Sequence, residues 1–241
     1  MRTKQLWVLG LTMATLAMAT LTTPTLALAQ GAEEPPPVLS EGEGGGGGGG
    51  GGGLGGWDAK FGGIPSGAMI TGELGYTNLP KVGYHLGMGS NFELGGAFAL
   101  DLGYYQTGGI NFGILLSAPM RIGLSRANKL SMALGFEPGI GMHFSNQFQF
   151  SLLLNGSFNI GYQINNQFTI GGGVDVPLAL TFSPRFVFGF PLLFGPVLEI
   201  HATPQLAITF DAKFGPWIAA GDGGSGVTFG LKMGFGVAYR L

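Results

Sequence analysis

Glu199 and His201 stand two residues apart, the spacing that places two side chains on one face of an extended strand. A carboxylate beside an imidazole can hold one tautomer and pass a proton, which is the working unit of acid–base catalysis. The other two histidines, His85 and His143, lack such a constellation and read as hydrogen-bonded side chains. The three imidazoles fall at different heights along their segments, so a shared metal ion is not expected. Gly44 to Gly53 is an unbroken glycine run. A phosphate-cradling loop would also need a Lys followed by Ser or Thr at the start of a helix, and none follows. The chain has no cysteine, which excludes disulfides, thiolate metal sites, cysteine nucleophiles and an acylated N-terminal Cys. No cofactor, metal or catalytic set is expected.

The elements that must position these residues are unusual in composition. Of 241 residues, 48 are glycine and only 10% are charged, against roughly 25% charged in ordinary soluble domains. So few charges could hardly cover a water-exposed surface. The formal net charge is −2 and no basic run is present, so nucleic acid is excluded as a partner.

Three regions follow from the order of residue types. Residues 1–29 have a positive start at Arg2 and Lys4, an apolar stretch from Leu6 to about Leu21, and the small-x-small sequence Ala27-Leu28-Ala29. They read as a signal peptide cleaved after Ala29. Residues 30–65 read as a Pro/Gly-rich disordered tether: Pro35 to Pro37 favour extended backbone, Glu41 and Glu43 keep it solvated, and the glycine run cannot pack. The glycine-rich part has a root-mean-square reach of roughly 25 to 30 Å. Within this stretch residues 57–61 could extend or add a strand. Residues 66–241 form the folded domain.

In that domain apolar and polar residues alternate with period two. Phe148, Phe150, Leu152, Leu154, Gly156, Phe158, Ile160, Tyr162 and Ile164 share one face, and the mostly polar Gln149, Ser151, Leu153, Asn155, Ser157, Asn159, Gly161 and Gln163 lie on the other. Asn155-Gly156 is ordinarily a strong hairpin signal. A two-residue turn there would put greasy and polar side chains on one face, so parity reads the segment as one strand. The pattern predicts ten strands: 67–77, 81–89, 92–105, 109–124, 129–144, 148–164, 168–182, 186–201, 206–219 and 227–241. Eight or twelve stay open. Pro138, Pro196 and Pro216 interrupt the pattern and predict bulges or local breaks.

The ionisable residues decide between a soluble sandwich and a membrane barrel. Lys81, Arg126, Lys129, Arg185 and Asp222 fall in turns. Glu73, Glu93, Asp101, Arg121, Glu137, Asp175, Glu199, Asp211, Lys213, Lys232 and Arg240 all have the parity opposite to the apolar face. Lipid explains that asymmetry, since an outward Lys or Arg at the bilayer midplane costs about 2 to 4 kcal/mol. Hydrogen bonding then requires closure, because an open sheet edge in hydrocarbon leaves unsatisfied backbone groups. Outward aromatics near strand ends, such as Tyr76, Phe92, Tyr104, Phe144, Phe148, Phe168, Phe182, Phe186 and Tyr239, sit where interfacial girdles lie. The fold class is an all-β, transmembrane, antiparallel up-and-down β-barrel.

Residues 66–241 thus resemble the bacterial outer-membrane β-barrel proteins. In that class the last strand carries a Gly, then two residues, then alternating hydrophobics ending usually in Phe. Gly236, Tyr239 and Leu241 occupy those positions, with Leu in place of the usual terminal Phe. The resemblance implies an outer-membrane location, lipid as the surrounding solvent, and the barrel-assembly machinery as a partner. The ten-stranded omptin proteases of this class use Asp and His residues at the extracellular rim. With both termini periplasmic the eighth strand descends and His201 lies at the opposite end, so protease activity is not expected. Enzymes acting on lipid acyl chains need polar catalytic groups open to the bilayer, and the apolar face has none. The inward charges read first as salt bridges inside a mostly closed barrel with a structural or interaction role. Many small inward residues keep open the alternative of a narrow, weakly cation-selective channel for small solutes.

Overall fold

The computed structural model describes residues 57–62, 66–75, 80–89, 91–101, 112–127, 129–144, 148–182, 186–222 and 224–241. Twelve strand segments run in chain order: β1 (Gly67–Gly75), β2 (Lys81–Gly87), β3 (Phe92–Asp101), β4 (Phe112–Ser117), β5 (Met120–Ala127), β6 (Leu130–Phe144), β7 (Phe148–Gln163), β8 (Phe168–Thr181), β9 (Val187–Pro191), β10 (Leu193–His201), β11 (Leu206–Gly221) and β12 (Gly224–Arg240).

All pairings are antiparallel, and the first strand pairs with the last, Met69 opposite Arg240 and Gly75 opposite Gly234. The result is a closed ring of ten strands. The remaining segments, β5 and β9, pair with the same neighbours as β4 and β10 respectively. Each therefore continues its partner's place in the ladder, and the ten expected strands are present. Closure leaves no edge, which is what a sheet in hydrocarbon requires.

The prolines act on their neighbours rather than on their own strands. Pro138 stays in register opposite Leu154, and its carbonyl accepts from Ala118 N, at the gap between β4 and β5. Pro216 stays opposite Phe229, and its carbonyl accepts from Leu192 N, at the gap between β9 and β10. A proline carbonyl can accept but its nitrogen cannot donate, so the facing strand loses its ladder partner there. Pro196 behaves closer to expectation: β10 and β11 pair at Phe194–Phe214 and resume at Val197–Asp211. A register shift among the described residues falls elsewhere, between Gly123 and Ser125.

Alternation sorts the side chains as predicted. Exposed apolar residues include Leu134, Phe136, Phe148, Ile160, Tyr162, Phe194 and Phe210, whereas Ser131, Ser151, Asn159, Thr169 and Thr209 are buried. Asn155-Gly156 lies inside β7 with Asn155 opposite Glu137, so it is no turn. An apolar belt outside a closed sheet and a polar interior make this a transmembrane β-barrel.

The two rims differ. Leu241 N donates to Ala68 O, and the chain reversals after β2, β7 and β10 lie at that same end, called here the near rim. The far rim carries an aromatic band in which Phe144–Phe148, Phe150–Phe182 and Phe182–Phe186 have ring centroids 5.7, 6.3 and 6.0 Å apart. Tyr76 and Tyr104, expected in the girdles, lie outside the described residues. The connection between the expected strands 206–219 and 227–241 is shorter than that spacing implies: Gly221 pairs with Gly224, whose φ of 113° suits the tight reversal.

Candidate functional site

The near end of the lumen is filled by a segment read from composition as tether. Residues 57–62 lie inside the barrel, and Trp57, Asp58 and Phe61 are fully or almost fully buried. Their types explain it: Trp57 and Phe61 follow the glycine run, and each can bury about 150 to 250 Å². Trp57 packs with Ala59, Met69, Ala207 and Ala238, and its Nε1 donates to Pro204 O at 2.7 Å. These residues do not extend the sheet by a further strand.

Wall charges hold the backbone of the segment. Ala59 N and Lys60 N donate to the two oxygens of Glu199 at 2.6 and 2.9 Å. Arg121 Nη1 donates to Ala59 O, while its Nη2 donates to Glu93 Oε1 at 2.6 Å. Asn159 Nδ2 donates to Lys60 O at 3.3 Å. The Lys60 ammonium turns outward from the segment to Glu73 at 2.6 Å and Asp211 at 3.8 Å. Buried polar backbone needs such partners, and the wall supplies them from β5, β7 and β10, while β1 and β11 supply the acids for the Lys60 side chain.

The wall is recessed where the segment lies. A Cβ on Gly161 would sit 2.6 Å from the Phe61 ring, and one on Gly123 would sit 2.9 Å from Gly62 O. Glycine is needed at both places for close approach.

Further layers carry the other predicted residues. Asp175 bridges Lys213 and Lys232, each at 2.6 Å, and Lys213 also donates to Asn159 Oδ1 at 3.3 Å. Glu137 takes two bonds from Lys81 at 2.7 and 2.8 Å and one from Ser117 Oγ at 2.5 Å. Lys81, assigned to a turn on sequence, is thus the first residue of β2 with an inward ammonium. His143 Nε2 lies 2.8 Å from Asp101 Oδ2. His85 Nδ1 is 2.9 Å from Glu93 Oε1, and its Nε2 is 3.1 Å from Thr71 Oγ1. Arg240 is half-buried at the near rim opposite Met69. Arg126 and Arg185 have side chains outside the described residues.

Glu199 and His201 do meet, with His201 Nε2 2.9 Å from Glu199 Oε1 and Trp57 edge-on to the imidazole at 5.1 Å. Both are sealed from solvent, and both oxygens of Glu199 already hold backbone N–H groups. The pair as arranged anchors a segment rather than facing a substrate. Sequence spacing missed Asp58 and Lys60, which joined this site; the only available signal was the Trp57 and Phe61 pair directly after the glycines. In the expected assembly signal, Tyr239 and Leu241 are exposed on the apolar side, and Gly236 faces Thr209 inside.

Comparisons with known proteins give little beyond the architecture. No family model matches this chain, and no curated protein matches it. Among solved structures it is similar to one described as "KdgM porin in complex with disordered oligogalacturonate", at 10% identity and a TM-score of 0.24, covering 72% of this chain and 98% of that one. At that score the likeness adds nothing to what the strand pairing itself shows.

Proposed function

We propose that the chain is a narrow outer-membrane channel for small solutes, leaning towards cations, which rests closed at its near end by its own segment 57–62. The observation that carries this reading is the recess at Gly161 and Gly123 into which a separate segment fits. A ten-stranded barrel can be filled by its own wall side chains. Here the wall leaves room, and the filler is held by hydrogen bonds and ion pairs that water can replace. Beyond it, Asp101 and Glu137 keep 19% and 22% of their side-chain surface open, and Lys232 keeps 41%. Among the described residues, inward acids outnumber inward bases: Asp58, Glu73, Glu93, Asp101, Glu137, Asp175, Glu199 and Asp211 face Lys60, Lys81, Arg121, Lys213, Lys232 and Arg240. Such an excess favours cations.

A second reading, a permanently closed barrel with a structural or interaction role in the envelope, is favoured by the number of bonds that Glu199 and Arg121 make to the segment. No enzymatic activity is proposed. Conductance of the full chain in a planar bilayer, against a variant lacking residues 57–62, separates the readings. The channel reading expects brief openings in the full chain and steady, cation-preferring current after the deletion. Silence in both variants, with folding shown by heat-modifiable migration on gels, establishes the closed barrel.

A further inference from the structure

We infer that Asp58, Glu199 and His201 form a binding site for one divalent transition-metal ion of the zinc class, joining the N-terminal segment to the barrel wall. The inference deepens the reading of residues 57–62 as a plug and rests on it for its consequence, not for the site itself.

One ligand atom from each residue lies within 4.8 Å of the other two. His201 Nε2 is 2.9 Å from Glu199 Oε1 and 3.9 Å from Asp58 Oδ1. A point equidistant from three such atoms lies within about 2.5 Å of each, against bonds of about 2.0 to 2.2 Å from zinc to imidazole nitrogen and carboxylate oxygen. A closing movement of a few tenths of an ångström, about the difference between those figures, completes the site. One imidazole with two carboxylates suits a borderline ion better than magnesium, which prefers oxygen ligands and retains its waters.

A second observation points the same way. His201 is 1% exposed, and neither of its ring nitrogens has an aligned hydrogen-bond partner among the described residues, although Nε2 lies so close to Glu199. Buried polar atoms are normally satisfied. A ring nitrogen and a carboxylate oxygen in contact but not aligned for a hydrogen bond are placed as two ligands of one ion are placed. Charge agrees as well: this layer buries the carboxylates of Asp58, Glu93 and Glu199 with Arg121 as its guanidinium, an acidic excess that a divalent cation offsets. Asp58 belongs to the segment while Glu199 and His201 belong to β10, so a bound ion would latch the segment in place. Anything that binds this state and not the opened one stabilises it by mass action.

Titration of the EDTA-treated, detergent-folded full chain with Zn²⁺ tests the site, with Mg²⁺ as the competing ion. Expected is one Zn²⁺ per chain, not displaced by Mg²⁺, and about tenfold or greater weakening in both Asp58→Asn and His201→Gln. His85→Gln, which removes an imidazole outside the cluster, should bind as the parent does. Zn²⁺ should also raise the melting temperature of the parent and leave that of the two ligand variants unmoved. Each variant is first shown to fold by heat-modifiable migration. No binding at about 1 mM Zn²⁺, an affinity corresponding to only about 4 kcal/mol, overturns the inference. So does equal affinity in parent and ligand variants. If Zn²⁺ binds with the expected losses but the full chain, with and without EDTA, and the variant lacking residues 57–62 all stay silent in bilayers, the site stands and the channel reading fails.

Discussion

Phe61 occupies the volume that a side chain on Gly161 would need, with a Cβ at that position only 2.6 Å from the ring. A wall residue of β7 and a residue 100 positions earlier in the chain have thus divided one space between them. Because Phe61 is fully buried there, the wall and the segment are complementary in shape and not merely adjacent.

Gly161→Val should therefore expel Phe61 while leaving β7 paired, since a branched residue suits a strand. Losing that burial costs about 1.5 to 3 kcal/mol of segment binding. The expected outcome is a red shift of the emission that Trp57→Phe removes, together with longer openings in a bilayer. Unchanged Trp57 emission would place the segment elsewhere.

Asp175 holds two ammonium groups, Lys213 and Lys232, at 2.6 Å each. Asp175→Asn leaves both cations without their carboxylate, and Lys213 is only 3% exposed. Breaking a buried ion pair from one side costs about 3 to 5 kcal/mol, so the unfolding midpoint of the variant in urea should fall clearly. Asp222→Asn, at an exposed turn, should shift it far less.

Leu152 and Ser151 are neighbours on β7 with opposite surroundings, Ser151 buried opposite Thr181 with Oγ 2.8 Å from Thr181 Oγ1. In a membrane barrel Leu152→Arg should cost about 2 to 4 kcal/mol near the midplane, whereas Ser151→Arg can send its guanidinium along the lumen to water. Assembly yield in lipid vesicles should drop more for Leu152→Arg. Equal yields would contradict a lipid-facing Leu152.

Residues 33–53 carry only two large apolar side chains, Val38 and Leu39, and the described part of the segment that fills the lumen starts at Trp57. Deleting 33–53 should preserve heat-modifiable migration and the closed state alike. A variant that folds but conducts steadily would show that the upstream chain helps to seat the plug.

What the sequence alone determined was which side of the sheet each residue faces. With a period of two and two different solvents, every Arg or Glu on the wrong side is penalised, so parity from Glu73 to Arg240 records inside and outside directly. The ends of β6, β7 and β8 followed to within a residue because turns need their own residues, and Asn155-Gly156 was correctly read as strand because pairing across it would have mixed the faces. Tertiary structure alone decided what fills the cylinder. Residues 57–62 show no alternation, and their partners Glu199 and Asn159 lie 140 and 99 positions away. Such contacts exist only once the first and last strands have met. The same holds for the proline breaks, which fall on Ala118 and Leu192 because hydrogen bonds connect neighbouring strands, and a residue's ladder partner is set by closure and register rather than by its place in the chain.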